Sequence, residues 1–288
     1  MFKRTFRYAI APLLFGAVSL LGCMAFPSNF GATGKLVLQV TDKPFPVDFI
    51  AEALVTVTRV EVRQASEDEN AEDGFVVIFE GERTLDLLDL RNGRTDLLAE
   101  ADIPVGMYDQ MRLVVTEGHI TLTDDSEFDL KVPSGESSGI KLNFEFEIVE
   151  DEELVLLLDV DLSRAFSAIP SGHIDDVSTI TGFHFHPAFA MRLISVLEAG
   201  QITGIVNDNA DPANPVANAL VTAFKDDVEV TSTVTEADGA FTLMGLPTGT
   251  YRVEFSATGF DDLTVNDVEV MAGETTDLGA VVMTPTPP

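Results

Sequence analysis

The sequence has one cysteine, no tryptophan and three tyrosines among its 288 residues. A single thiol forms no internal disulfide, so no cross-link of that kind stabilises the fold. The apolar stretch at residues 9–21 is too short to cross the ~30 Å hydrocarbon core of a membrane as a helix. A sustained period of 3.6 residues is missing as well, which argues against a helical domain.

Basic residues are scarce. The chain has 17 Lys and Arg against 48 Asp and Glu, which gives a net charge of −31. Such a surface repels phosphate backbones and anionic lipid headgroups, so we expect no nucleic-acid partner. The sequence leaves two explanations of the acidity open: solubility, and binding of divalent cations such as calcium by clustered carboxylates. With 45% hydrophobic residues, the chain has enough apolar side chains for a packed core.

The N-terminus has the parts of a secretory signal peptide. Lys3, Arg4 and Arg7 form a basic region, the apolar stretch follows, and a small residue, Gly22, closes it. We therefore expect the protein to be exported.

The surroundings of the cysteine give it a role. Leu20-Leu21-Gly22-Cys23 resembles the bacterial lipobox. The resemblance implies that the signal peptide, residues 1–22, is cleaved and that a lipid is attached to Cys23, with residues 23–33 as a short linker. Several acyl chains on one residue anchor a protein durably, whereas one holds it only marginally. Met24 stands where Asp would indicate the inner membrane, so we expect the outer membrane. The alternative is an ordinary signal peptide followed by a chance cysteine.

Most later segments alternate apolar and polar residues, as half-buried antiparallel strands do. Residues 139–150 alternate in this way, and residues 153–162 are interpreted as their partner across an acidic turn. The apolar phase changes near Thr58-Arg59, which predicts a bulge. Two further expectations concern single segments: one strand at 183–194 and a short helical turn at 94–100.

A break at residues 198–201 separates longer strands from shorter, evenly spaced ones. The pattern predicts an all-β fold of two antiparallel β-sandwich domains in tandem, at residues 34–197 and 200–284, each folding by itself. The tail at 285–288 is expected to be disordered.

The region from Gly34 to Val196 resembles a bacterial lipoprotein domain called domain of unknown function 4382. The matching stretches are "GKLVLQVTDKP", "VTVTRVEV", "LDLLDLRNGRTDLLAEADIPVGMYDQMRLVV", "VPSGESSGIKL" and "LLLDVDLSRAF". Because that family has no established activity, the resemblance implies an architecture and no chemistry.

The region from Gly200 to about Met283 resembles a carboxypeptidase-regulatory-like domain, a small transthyretin-like β-sandwich. The matching stretches are "GIV" at 204–206, "PVANALV" at 215–221, "TEADGAFTLMGLPTGTYRVEF" at 235–255 and "TGF" at 258–260. The resemblance implies a carbohydrate-binding-like fold, which does not by itself imply carbohydrate binding.

His184 and His186 are the best metal candidates, because two imidazoles at i and i+2 of a strand suit zinc or copper. A site needs a third ligand, for which His173 or a carboxylate is available. The alternative is that Phe183 and Phe185 face the core and both histidines face solvent.

Two acidic stretches are also candidates. Asp159 and Asp161 share a strand face and would serve acid–base chemistry if burial raised one pKa. The alternative is that they pair with Arg164 or end a sheet edge. "NDNAD" at 207–211 spaces oxygens like the start of a calcium loop, but it departs from the EF-hand pattern and also suits a polar hairpin loop.

No nucleophile elbow, HExxH motif or dinucleotide fingerprint is present, so we predict no enzymatic activity and no resident cofactor. The expected function is a lipid-anchored surface module of the cell envelope that binds a glycan or another envelope protein, or serves as a scaffold. The lack of tryptophan weakens the glycan hypothesis. Two alternatives remain: a metal-assisted hydrolase that uses His184 and His186, and a passive accessory subunit of an outer-membrane complex.

We predict that Cys23→Ser releases the protein from the membrane, because the thiol is the site of acylation. Membrane and soluble fractions of cells expressing each form measure this. A Cys23→Ser variant that remains with the membranes like the parent protein would show that Cys23 is not the anchor.

Overall fold

The computed structural model describes residues 31–43, 49–65, 74–132, 139–171, 176–186, 190–210 and 213–287. The predicted signal peptide and Cys23 lie outside these ranges. The chain from Gly31 onward forms one compact unit that is almost entirely β-structure. None of the helices in the described ranges has the length and apolar character needed to cross a membrane.

The first part of the chain contains eleven strands among the described residues. They are β1 (Thr33–Lys43), β2 (Ile50–Gln64), β3 (Phe75–Asp86), β4 (Asp96–Pro104), β5 (Gly106–Leu122), β6 (Glu127–Asp129), β7 (Ile140–Ile148), β8 (Glu153–Asp161), β9 (Phe166–Ile169), β10 (Gly182–Phe185) and β11 (Met191–Ser195). The helices are single turns: a 3₁₀ helix at Leu87–Leu90, α1 at Leu162–Ala165 and a 3₁₀ helix at Val177–Thr179.

These strands form a β-sandwich. Sheet I has the order β11-β8-β1-β4. Sheet II has the order β3-β2-β5, and β6 and β7 both pair with the remaining side of β5. Strands β9 and β10 form a separate antiparallel pair.

The first core fills the space between sheets I and II. Leu36, Leu38 and Val40 alternate along β1 and pack in one cluster with Val60 and Val62 of β2, each of them at most 1% exposed. Burying one such side chain contributes about 1.5–3 kcal/mol. The period-two alternation of apolar residues therefore supplies the core.

A second sandwich follows directly. Its strands are β12 (Ala199–Asp208), β13 (Leu220–Lys225), β14 (Val228–Val234), β15 (Ala240–Pro247), β16 (Gly249–Ser256), β17 (Leu263–Val270) and β18 (Thr275–Met283). Sheet III has the order β15-β12-β18 and sheet IV the order β14-β13-β16-β17. Tyr251, Val253 and Phe255 alternate into its core and are at most 1% exposed. The prediction of two β-sandwiches is confirmed, with one parallel pair in each, β1 with β8 and β12 with β18.

Both sandwiches use the same corner, Pro-x-Gly-x-Tyr. The hydroxyl of Tyr108 donates to the carbonyl of Pro104 at 2.8 Å, and that of Tyr251 donates to the carbonyl of Pro247 at 2.5 Å. Both rings are at most 1% exposed, and the glycine of each corner has a positive φ, 140° and 155°. Burial raises the pKa of both hydroxyls, that of Tyr251 to about 12. Each hydroxyl therefore stays protonated and donates from inside the protein.

The interpretation of residues 153–162 as the partner of 139–150 is wrong. β7 pairs with β5 in sheet II, whereas β8 lies between β1 and β11 in sheet I. β8 is buried on both faces, with Leu156 and Leu158 in the first core and Leu157 in a separate cluster. A strand that is covered on both faces is a continuous apolar run, which does not indicate its partner.

Three local predictions also differ from the structure. Residues 183–194 form two strands, β10 and β11, in different sheets. Residues 94–100 run into β4 and form no helical turn, and the 3₁₀ helix lies just before them. The tail is hydrogen-bonded as far as Thr286, whose N–H donates to the carbonyl of Gly259 at 2.9 Å.

The two sandwiches contact each other through an apolar cluster and a polar loop. Leu157, Ile194 and Ala199 pack together with Met244. In the loop before β4, the Asn92 side chain accepts from the Thr242 N–H at 2.6 Å and donates to the Ala240 carbonyl at 3.4 Å.

Asn92 thereby replaces a neighbouring strand along β15. Among the described strands β15 pairs only with β12, so its other edge is open except at Asn92. Arg94 adds an ion pair with Glu236 at 3.0 Å. A Cβ on Gly93 would lie 2.6 Å from Cγ2 of Thr242, so the loop fits closely against β15.

We predict that Asn92→Gly lowers the free energy of unfolding by about 1–3 kcal/mol, because it leaves the Thr242 N–H of β15 without a partner. The Ala240 carbonyl keeps its hydrogen bond from the Glu236 N–H. Glycine keeps the left-handed backbone of Asn92, whose φ is 59°. Denaturant unfolding of the full chain and hydrogen exchange at Thr242 measure the effect.

The matched control is Asn218→Gly, since Asn218 is exposed and has a φ of 57°. It should change stability by less than about 0.5 kcal/mol. Equal effects of the two substitutions, or unchanged exchange at Thr242 in Asn92→Gly, would exclude the edge contact as a source of stability.

Asp42, at the end of β1, is an exception among the buried residues. It is 6% exposed, and neither carboxylate oxygen has a hydrogen-bond partner among the described residues. Burial raises the pKa of Asp42 well above its usual range, and the negative charges of Asp159, Asp161 and Asp86 add to this, while Arg91 opposes it. The folded state therefore holds the Asp42 proton at pH values where the unfolded chain has lost it.

We predict that Asp42→Asn stabilises the protein at pH 7 by at least about 1 kcal/mol, the scale on which a buried polar atom without a partner destabilises a fold. A raised pKa means that the parent loses stability as pH rises above about 4, the unfolded value. The gain should therefore shrink as the pH falls to 4, in thermal unfolding measured from pH 3.5 to 8.

Asp208→Asn is the control of opposite sign, because hydrogen bonds from Asn214 lower the pKa of Asp208. That substitution should destabilise the protein at pH 7, with the loss disappearing in acid. A pH-independent effect of Asp42→Asn would show that the Asp42 charge does not matter.

Candidate binding site on sheet II

The face of sheet II that points away from the first core is a grid of charged side chains. Arg59 lies opposite Glu80 of β3 and Val114 of β5, and Glu61 lies opposite Arg112 of β5. Residues opposite each other on neighbouring strands point to the same face. The alternation of β2 places valines in the core and these charges outside.

Two irregularities shape this face. The register of β2 shifts between Val57 and Arg59 against both of its neighbours, so the predicted bulge near Thr58-Arg59 is confirmed. Gly81 of β3 lies beside this register shift, and it has no side chain to fill the space above the sheet there. Bulges increase the local twist of a sheet. The result is a groove of about 470 Å³, lined by Thr58, Arg59, Glu61, Glu80, Gly81, Arg112, Val114 and Thr116.

Glu61 is at the centre of the charges in this groove, which we call the arginine groove. One carboxylate oxygen lies 2.7 Å from Nε of Arg59, and the other lies 3.4 Å from Nε of Arg112. The Glu61 side chain is 10% exposed, the Arg112 side chain 14% and the Arg59 side chain 42%. Of these three side chains, that of Arg59 is therefore the most exposed, and its Nε faces the Glu61 carboxylate.

Arg112 is held from a second side as well. Its guanidinium carbon lies 3.8 Å from the centre of the Phe75 ring, a cation–π distance. The stacking fixes the guanidinium plane. A pre-oriented planar fork of N–H donors suits carboxylates and hydroxyl pairs.

The motifs and patterns considered above do not indicate this groove. A signal exists in "RVEVR" at 59–63, where buried valines alternate with charges of alternating sign. Such an alternation predicts a charged sheet face with ion pairs along it. The contribution of Arg112, on another strand, is visible only in the fold.

The structure places His184 and His186 on the exposed side of their strand. Phe183 and Phe185 are at most 8% exposed and face the core. The centres of the two imidazole rings are 5.9 Å apart. Within the described ranges, no group of three or more His, Cys, Asp or Glu is arranged to hold a metal ion. His173 lies outside those ranges.

Asp159 and Asp161 have different surroundings. Asp159 is 5% exposed and accepts from Nη2 of Arg192 at 2.6 Å. Asp161 precedes α1, where it accepts from the Ser163 hydroxyl at 2.5 Å and lies 3.3 Å from Nε of Arg164. Both carboxylates thus have positive or donating neighbours. The alternative of a pairing with Arg164 is confirmed for Asp161, whereas Asp159 pairs with Arg192.

In the acidic stretch at 207–211, the described residues are held by Asp208. The carboxylate of Asp208 accepts from the N–H of Ala210 at 3.1 Å, and from the N–H and the side-chain amide of Asn214 at 2.7 and 2.9 Å. This is the arrangement of a polar hairpin loop. Asp211 lies outside the described residues, as does Cys23, the predicted lipidation site.

Comparison with solved structures found matches with low scores. A cohesin–X-dockerin complex from Acetivibrio cellulolyticus matches at 20% identity and a TM-score of 0.25, over 30% of this chain and 58% of that chain. The chain thus spans a little more than half the length of that match. The minor pilin of Streptococcus agalactiae matches at 10% identity and a TM-score of 0.25, over 88% of this chain and 97% of the pilin.

The shaft pilin of Lactobacillus rhamnosus GG matches at 11% identity and a TM-score of 0.27, over 89% of this chain and 99% of the pilin. Scores of this size show no more than a likeness of β-structure. No curated protein matches the sequence.

Two family descriptions match, and they cover most of the described chain. Residues 201–284 match the carboxypeptidase regulatory-like domain, which confirms the second resemblance. Residues 33–177, half of the chain, match the domain of unknown function DUF4382, which confirms the first. The chain belongs to the DUF4382 family and has a carboxypeptidase regulatory-like domain after the family domain.

Proposed function

We propose that the protein is a lipid-anchored binding module of the cell envelope and that it binds acidic sugars in the arginine groove. The β-sandwich fold fits a binding or scaffolding role. The lipobox-like sequence at Cys23 supports the anchor and the export to the outer membrane. The observation that supports the binding role most directly is the Arg59 guanidinium, which is 42% exposed and lies beside the Glu61 carboxylate.

The composition of the groove indicates the class of ligand. It has donors on Arg59 and Arg112, acceptors on Glu61 and Glu80, and the Thr58 hydroxyl at its border. A sugar ring offers both donors and acceptors, and a carboxylate on the ring matches the arginine fork. None of the described residues that line the groove is aromatic, so hydrogen bonds provide the affinity in place of ring stacking.

Local charge makes an acidic ligand compatible with this acidic protein. The groove has two arginines and two glutamates, so its formal charge is zero in a chain of −31. At 0.15 M salt the screening length is about 8 Å, so charges beyond the groove contribute little. A carboxylate therefore meets no net charge repulsion in the groove, and its attractive partners there are Arg59 and Arg112.

We predict that a trisaccharide of galacturonic acid binds the full chain in detergent and that its methyl ester binds at least tenfold more weakly. Esterification removes the ligand charge and leaves the ring hydroxyls. Arg59→Ala should weaken binding of the free acid at least tenfold, about 1.4 kcal/mol. Isothermal titration calorimetry at 0.15 M salt measures both effects.

The control is Arg252→Ala in the second sandwich. The Arg252 side chain is 34% exposed and also pairs with a glutamate, Glu254. It should leave the affinity unchanged. Equal binding of acid and ester, no binding of either, or equal losses in the two variants would refute the arginine groove as an acidic-sugar site.

A further inference from the structure

A second surface lies where two unpaired strand edges meet. Among the described strands, β7 pairs only with β5 and β11 pairs only with β8. The edge of sheet II at β7 and the edge of sheet I at β11 lie next to each other on one side of the first sandwich. Between them is a groove of about 290 Å³, which we call the edge groove.

The floor of the edge groove is apolar. Phe144 of β7 and Leu154 of β8 line it and are only partly buried. At one end Leu197 is 68% exposed and Val149 is 43% exposed. Covering apolar side chains of this size with a partner is favourable, because it removes apolar surface from water.

The rim of the edge groove is acidic. Glu145 and Glu147 occupy two of the four exposed positions of β7, and Glu198 follows β11. The other two exposed positions, Lys141 and Asn143, do not line the groove. None of the three glutamates forms an ion pair with a described residue, whereas Glu153 nearby pairs with Lys35 at 3.1 Å. The rim therefore has negative charge that no described cation compensates.

We propose that the edge groove binds an extended segment of a partner protein, in which Lys or Arg alternates with apolar residues, as an added strand along β7. An added strand would direct alternate side chains to opposite faces. Its apolar residues would lie over Phe144 and Leu154, and its basic residues beside Glu145 and Glu147. Main-chain hydrogen bonds to the open edge would provide affinity, and side-chain alternation would provide specificity.

Charge favours this occupant over a second copy of the chain. Another copy would bring the same acidic β7 edge and a net charge of −31, so its approach is repelled. Like charges that lie opposite each other on paired strands destabilise the pair. A basic segment is attracted by the net negative charge, and it places opposite charges beside each other on the paired strands. This surface is distinct from the arginine groove, so the two proposals can fail separately.

The probe is an acetylated and amidated peptide, Lys-Val-Lys-Val-Lys-Val-Lys, labelled for fluorescence anisotropy and titrated with the full chain in detergent. We expect binding that weakens with salt. Glu147→Lys should weaken it at least tenfold. Glu269→Lys is the control, because Glu269 is also exposed on an edge strand, β17, and gives the same change in net charge. It should change the affinity less than twofold.

A second peptide tests the main-chain bonds. N-methylation of alternate residues removes the N–H donors of one edge and keeps the charge and the valines. The proposal requires that at least one of the two alternately methylated peptides binds at least tenfold more weakly. Undiminished binding of both methylated peptides, equal losses in Glu147→Lys and Glu269→Lys, or no binding at all would overturn it.

Discussion

The position of β8 in the middle of sheet I, parallel to β1, constrains the rest of the molecule. Because β8 is covered on both faces, its side chains must satisfy two different surroundings. Leu156 and Leu158 point into the first core, while Leu157 points to the cluster shared with the second sandwich. Asp159, on the same face as Leu157, is compatible with burial because Arg192 of β11 reaches it. One strand thus completes the first sandwich and supplies the surface for the second.

Open strand edges are managed differently in different parts of the fold. Asn92 covers the edge of β15 with two side-chain hydrogen bonds, which is an economical substitute for a strand. The edge at β7 has acidic side chains instead, a common way to prevent edge-to-edge association between copies. The same charges that repel a copy attract a basic segment. Protection from self-association and selection of a partner therefore use the same residues, Glu145 and Glu147.

The sequence predicted those parts of the fold that depend on local alternation. Ile140 to Ile148 and the run Tyr251, Val253 and Phe255 follow the period of two that a half-buried strand requires. The interruption of that period near Thr58 marks the bulge. The two family resemblances assigned these patterns to two separate β-domains.

Other features depend on which distant segments meet, and local patterns do not contain that information. The run "LVLLL" in β8 is apolar on both faces, so nothing in it distinguishes sheet I from sheet II. Asn92 finds its partners in β15, more than a hundred residues later. The arginine groove combines Arg59 and Glu61 with Arg112 through strand pairing. The sequence contains only the charge alternation around Glu61. That alternation indicates a charged sheet face but does not identify Arg112 as the residue that joins it.

The strongly negative net charge does not by itself determine which ligands the protein binds. Screening confines each charge to a neighbourhood of about 8 Å at physiological salt, so a ligand responds to the side chains around its own site. In the arginine groove, Glu61 lies between the guanidinium groups of Arg59 and Arg112, and Glu80 brings the formal charge to zero. At the edge groove, Glu145 and Glu147 have no described cation beside them. One acidic chain thereby presents two surfaces of different chemistry, and the arrangement of a few arginines, more than the total charge, determines what each surface accepts.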